Sequence, residues 1–365
     1  MAEIRQGQLN AFYLFDVAET VDLARVPAII GGPTTAARLA PKPATPAYVQ
    51  YEKPPISFDG ELIGIGELAG FRPRFRVYDY GVISLGLSRP YEGSWSGLAA
   101  VAQDLIESVE LERLAEEHCR VVAARLAPAM TDLRREFLSE DYLVIAVTAL
   151  DAEMSARELL RQRGEEIAAI LRGERQPLSH QEQRKILKHR LSYLANDAVI
   201  ATWNAALVYD TPTGVAAALE ILEFANSQLL EFRYYDQLLD QQLTSIYTLL
   251  QHPRWYDQWI GSRYTRAARQ VHSLFIDVNE LTDRTENALK FIGDIYAVRL
   301  FALVADRLGL DTWKANVQGK LKTLDDIYRF AVEQSSMSRG QFLELTVVLI
   351  LVLELVLLLL GVMKF

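Results

Sequence analysis

Residues 345–363 read LTVVLILVLELVLLLLGVM: fifteen Leu, Ile or Val in nineteen positions, with one charge, Glu354. No other stretch limits the possible folds so sharply. A surface helix needs a polar face, and this one has none. At about 1.5 Å rise per residue, nineteen helical residues reach about 28 Å, close to the hydrocarbon thickness of a bilayer. On an insertion scale the apolar residues contribute about −5 to −9 kcal/mol, against a cost of about 3 kcal/mol for one mid-helix acid. The expectation is a C-terminal transmembrane helix over 342–363, a tail anchor. Glu354 would then lie at the bilayer midplane, where a charge is expected to face a partner helix. Glu344, at the start of the span, is a second candidate for such association. The rival reading is a soluble coiled-coil oligomer with this helix at its centre.

Arg329 and Arg339 precede the span and only Lys364 follows it, which favours the bulk of the chain on the cytoplasmic side. The opening MAEIRQGQLNAFYLF lacks the basic segment, apolar run and cleavage site of a signal peptide. The expected location is the cytoplasmic (inner) membrane, with a single pass. A net charge of −9 argues against a general nucleic-acid-coating surface, although a local basic patch can survive it. The single cysteine, Cys119, allows neither an intramolecular disulfide nor a cysteine-based zinc site.

Upstream of the tail the pattern changes once. Residues 1–150 read as an α+β head: a strand over 10–18, a short helix over 20–26 and a proline-rich loop over 27–55 with a strand at 48–51. Hairpins are expected around Asp59-Gly60 and over 75–87, then helices over 95–117 and 128–138 and a strand over 142–150. Residues 151–340 read as nearly pure helix. Ser155-x-x-Glu158 and Ser179-x-x-Glu182 are capping-box patterns, and Asp210-Thr211-Pro212 is a helix start. Breaks at His252-Pro253 and Gly309 leave helices long enough for an antiparallel bundle or coiled-coil stalk. Positions spaced by three and four support it: Leu222, Ala225, Leu229, Phe232, Asp236, Leu239, Leu243, Ile246 and Leu250, then Val271 to Ile295, then Val317, Leu321, Leu324, Tyr328 and Ala331. Asp236 is the one charge in its seam. It either specifies register or sits at a wider gap beside water or an arginine.

No motif carries catalysis. Gly64-x-Gly66-x-x-x-Gly70 follows a hairpin and precedes Phe71-Arg72-Pro73, so the strand–loop–helix of a dinucleotide site is missing. Gly93-Ser94-Trp95-Ser96-Gly97 puts its serines in the wrong places for a nucleophile elbow, and reads as a helix cap. The five histidines have no metal-ligand spacing. No cofactor is implied. Two basic groups stand out. Arg72, Arg74 and Arg76 alternate, so on a strand they share one face. Arg184, Lys185, Lys188, His189 and Arg190 cluster on a helix after the second capping box. Each group is a candidate contact for RNA, a ribosome or anionic lipid, weighed against an ordinary solvated charged face.

Four short pieces, in order, give the chain a family resemblance. They are residues 11–23 (AFYLFDVAETVDL), 75–84 (FRVYDYGVIS), Asp210-Thr211-Pro212, and Leu343-Glu344 followed by the apolar run to Glu354. The chain resembles the family named for the protein required for meiotic nuclear division, a domain of unknown function. That resemblance implies an α+β head on a tail anchor, a homo-oligomer, and eukaryotic relatives that support organellar translation at the mitochondrial inner membrane. It transfers no catalytic residue. The combined expectation is a non-enzymatic membrane-tethered scaffold or assembly factor, with a membrane-associated enzyme or RNA-binding factor as the alternative.

Overall fold

The computed structural model describes residues 3–36, 54–61, 70–251, 274–276, 278–279 and 295–359. It divides into two compact units. The first is Met1–Tyr234 with Arg284–Trp313, and the second is Tyr235–Asp283 with Lys314–Phe365.

The first unit is organised on strand β1 (Ile4–Asp16), whose residues 9–16 are all buried. A strand buried on both faces reads as an unbroken apolar run rather than an alternating one. β1 lies inside a nine-stranded sheet. The other strands are β3 (Thr34–Ala36), β4 (Ile56–Asp59), β5 (Arg72–Val77), β6 (Val82–Gly93), β8 (Leu138–Leu150), β9 (Arg190–Leu191), β10 (Ala198–Ala201) and β11 (Ala205–Tyr209). Their order is β3-β4-β5-β6-β1-β8-β11-β10-β9. Neighbours are antiparallel except β8 and β11, which run parallel. Between β8 and β11 the chain crosses over through α4 (Ala156–Arg172) and α5 (His180–Lys188), the length of connection that parallel strands need.

Alternation assigns the two faces. Leu9, Ile145 and Leu207 are register partners and enter one apolar core. That core also takes residues of α1 (Val26–Ile30), α2 (Trp95–Ile106), α3 (Val109–Leu126), α4 and α5. Asn10, Val144 and Ala206 share the other face. There α6 (Pro212–Gln251) and α7 (Ile295–Leu308) lie, with Phe224 and Phe301 ring centroids 5.7 Å apart.

Local chemistry sets the ends. Ser155 and Glu158 complete a capping box, whereas at Ser179 only the side-chain half forms. Thr211 Oγ1 accepts from Gly214 N (3.2 Å) and opens α6 at Pro212. Gly81, at φ 89°, turns β5 into β6, and a Cβ there would strike the Ala18 carbonyl.

Several expectations are corrected. The 95–117 helix is two, because Ser108 caps a new start at Val109. Residues 128–138 are not helical: after the 3-10 turn Ala127–Ala129, β7 (Met130–Thr131) pairs with β2 (Thr20–Val21) where a helix over 20–26 was expected. The Asp59-Gly60 step is not the hairpin turn, since Asp59 still pairs with Arg74. Residues 48–51, Gly64 and Gly66 lie outside the described residues. Helix does not take over at 151, because β9–β11 extend the same sheet.

The second unit contains the later half of α6 and most of α8 (Leu310–Leu359). Leu239 and Ile246, seven apart on α6, are buried, as are Val317, Leu321, Leu324 and Tyr328, spaced by three and four on α8. Asp236 meets a lysine, with Lys320 Nζ 2.8 Å from its carboxylate and 2.7 Å from that of Asp240. The apolar tail is not a separate helix but the end of α8. Among the described residues no helix is long and apolar enough to cross a membrane. This overturns the expected C-terminal transmembrane helix, the tail anchor and the single-pass location at the cytoplasmic membrane. The fold is mixed α/β, a large sheet with helices on both faces. Glu354 is exposed on α8, and the side chain of Glu344 lies outside the described residues.

Candidate functional site

Strand β5 places Arg72, Arg74 and Arg76 on one face, as its period of two requires, while Phe75 and Val77 enter the apolar core behind it. Arg72, Arg74 and Arg76 pair across to Ser88, Gly86 and Ser84 of β6. Gly86 carries no side chain, so the Phe12 ring of β1 lies close over it. The first turns of α6 face this floor with Ala216, Leu219, Glu220 and Glu223. The groove so enclosed has a volume of about 610 Å³, and Gln8, Asn10, Asp59 and Phe71 are also among its lining residues.

The three arginines differ in depth. Arg76 is buried at the inner end. Its Nη1 lies 2.8 Å from Glu223 Oε2, its Nη2 3.6 Å from Glu220 Oε1, and its Nε donates to Ser57 Oγ at 3.1 Å. Burial opposes the Arg76 charge, but Glu223, Tyr78 and Glu220 outweigh it and hold its pKa above the ordinary value. Burial pushes the Glu220 carboxyl up, against the pull of Arg76. Arg74 and Asp59 form a pair at 3.2 Å with both side chains mostly exposed, at 65% and 79%. Such a pair contributes about 0–1 kcal/mol, so Arg74 can exchange Asp59 for another anion at little cost. Arg72 is exposed at the mouth. The groove therefore offers two exchangeable guanidinium groups above one that is locked.

The locked triad begins a polar seam along α6. Glu220, Glu223, Ser227, Glu231 and Tyr234 are spaced by three and four, a single helical stripe. Tyr80 OH meets Ser227 Oγ at 2.6 Å and accepts from Gln228 Nε2 at 3.0 Å. Farther along, Arg134 Nε donates to Asp16 Oδ1 at 2.7 Å, and its guanidinium lies 3.6 Å from the centre of the Tyr234 ring. Asp16 is fully buried, and burial pushes its carboxyl up to about 6 despite Arg134.

The alternation of arginines was legible in the sequence, and the fold brings all three to one cavity. Their acidic partners were not. Glu220 and Glu223 were not singled out in the sequence, although their place on a polar stripe of period 3.6 was a usable signal. The second basic group is not part of this site: Arg184, Lys185 and Lys188 are on α5 and Arg190 on β9, the opposite edge of the sheet. Among the described residues no cluster of three or more His, Cys, Asp or Glu could hold a metal.

A family model described as "Uncharacterized protein MJ0711, N-terminal domain" matches residues 6–216. That is more than half of the chain, and the chain belongs to this family. The match takes in every strand of the sheet from β1 to β11 and stops just short of Glu220 and Glu223. The chain is similar to "Uncharacterized protein MJ0711" of Methanocaldococcus jannaschii, at 23% identity over 194 residues, covering 52% of this chain and 58% of that protein. It thus spans somewhat over half the length of that relative. No solved structure matches.

Proposed function

We propose that this member of the MJ0711 N-terminal domain family is a non-enzymatic scaffold or assembly factor that holds an anionic partner in the β5–α6 groove. The observation that carries this reading is the graded state of the three arginines. Arg76 is held by Glu220 and Glu223 and shapes the floor, while Arg72 and Arg74 are exposed and exchangeable. A phosphate or carboxylate entering the mouth gains charge-assisted hydrogen bonds and displaces only a weak surface pair. The resemblance of residues 75–84 and 210–212 to the family required for meiotic nuclear division supports a translation-linked complex, a ribosome above all, as the partner. The test is co-sedimentation of the full chain with ribosomes through a sucrose cushion. The wild type should pellet with them and R72E/R74E should remain in the supernatant. Equal behaviour of the two proteins, pelleted or not, would sink the proposal.

A second reading has one observation in its favour. Glu220 borders the cavity with a raised pKa, as a general acid would. On that reading the groove belongs to an enzyme. E220Q would then abolish turnover of a small anionic substrate while leaving its binding intact.

A further inference from the structure

The opposite edge of the sheet carries a second surface, built from parts far apart in sequence. His189 O accepts from Ala201 N at 3.3 Å, and Arg190 pairs with Ile200. One step beyond this pairing lies Lys188 on one side and the turn 202–204 on the other. Trp203 sits in that turn with 61% of its surface exposed. The turn is firmly held. Thr202 Oγ1 accepts from Ala205 N at 3.1 Å, and Tyr142 OH donates to the Thr202 carbonyl at 3.0 Å. An exposed tryptophan on a fixed turn loses the benefit of burial without gaining mobility.

Cations reach this edge from both layers. Arg184, Lys185 and Lys188 come from α5 on the apolar-core face, Arg190 from the edge strand, and Arg307 from α7 on the other face. Three of them act on His189, whose pKa is held below its ordinary value by burial and then by Arg307, with Lys188 and Lys185 adding to the effect and Asp306 opposing it. The carboxylates facing them are Glu182, 3.9 Å from Lys185, and Asp306, paired with Arg307. Asp197 is buried and capped onto the Tyr193 and Leu194 amides. Among the described residues five cations thus meet two carboxylates, on a chain whose net charge is −9.

We infer that this edge is a docking surface for single-stranded nucleic acid, with Trp203 as the stacking platform and Lys188, Arg190 and Arg307 along the phosphate track. A flat aromatic ring beside a cationic row fits an unpaired base and its backbone. A duplex keeps its bases stacked inside and would use only the charges. The surface is independent of the β5–α6 groove.

The test is fluorescence anisotropy of the full chain with a fluorescein-labelled oligouridylate of about 12 nucleotides. W203A should weaken binding about 5- to 150-fold, the range of one lost base stack, while W203F keeps most of the affinity. K188A/R190A should lower the slope of log K against log salt by about 1.4. These side chains are exposed, so thermal unfolding should not change. R72A/R74A should bind as the wild type does, and if it alone abolishes binding, the groove is the nucleic-acid site and this inference is wrong. Equal affinity of wild type and W203A, or heparin and duplex RNA binding as tightly as the oligouridylate, would also overturn it.

Discussion

The two faces of the same sheet are both buried, yet they are built by different chemistry. On one, Leu9, Ile145 and Leu207 join an apolar core under α2 to α5. On the other, α6 lays a stripe of Glu220, Glu223, Ser227, Glu231 and Tyr234 against Arg76, Tyr80 and the Asp16–Arg134 pair. The apolar face is stabilised by area and packing, which tolerate many side-chain arrangements. The polar face is stabilised only when each charge finds its partner, because an ion removed from water must recover its hydration in fixed contacts. An apolar face can drive folding with little specificity, whereas a polar seam ties α6 to one position along the strands. The groove exists where that seam reaches the sheet's β5 end and the two outer arginines pass into solvent.

The sharpest way to break the contrast is to remove one partner. R76A leaves Glu223 buried and uncompensated and should cost about 3–5 kcal/mol, read from urea unfolding. The triple change R76M/E220L/E223L removes every member and should recover most of that loss. If R76A proves neutral, the seam contributes nothing to stability. On the apolar face no such rescue exists. Leu207→Ala should cost about 2–5 kcal/mol by leaving a cavity, with no pH dependence.

The next effect separates the faces by pH. Folding raises the Asp16 carboxyl from 3.8 to about 6, so the folded chain holds an extra proton between those values. Stability from this group is therefore greatest below about pH 4 and falls as pH rises through about 6, by about 3 kcal/mol in total. Unfolding midpoints of Asp16→Asn should show a flatter fall over that window than the wild type. Parallel curves would remove Asp16 as the source. The smallest effect belongs to the solvent end of the seam. Arg74→Ala breaks an exposed pair with Asp59 and should change stability by less than about 1 kcal/mol, measured in the same urea series. A larger loss would mean that the mouth is locked as tightly as the floor.

What was readable in the chain follows from how far each interaction reaches. The 75–87 hairpin, the Ser155 cap and the Thr211-Pro212 start of α6 rest on neighbours within a few residues, and β1 was legible from its own apolar run. The same is true of the break at Gly309, where φ is 68°. The misread segments obey longer contacts. Pro128 suggested a helix start, but Asp22 N reaches the Ala129 carbonyl at 2.8 Å and Glu19 N the Thr131 carbonyl at 3.0 Å, and that pairing takes the backbone out of the helical region. The strands after 151 were hidden because β11 (AALVY) is short and uniformly apolar, which periodicity alone cannot tell from a helix segment. The tail showed the opposite fault. Its apolar character was plain, but among the described residues no helix is long and apolar enough to cross a membrane.

The sequence by itself determined that Arg72, Arg74 and Arg76 share a face, that α6 begins at Pro212, and that the tail is apolar. These are consequences of backbone period and local capping, which act between near neighbours. Only the tertiary structure decided that Arg76 is locked while Arg74 is exchangeable, and that Lys188, Arg307 and Trp203 share one edge. Coulomb attraction and burial depend on separations in space, and residues 76 and 223 become neighbours only after the sheet has closed beneath α6.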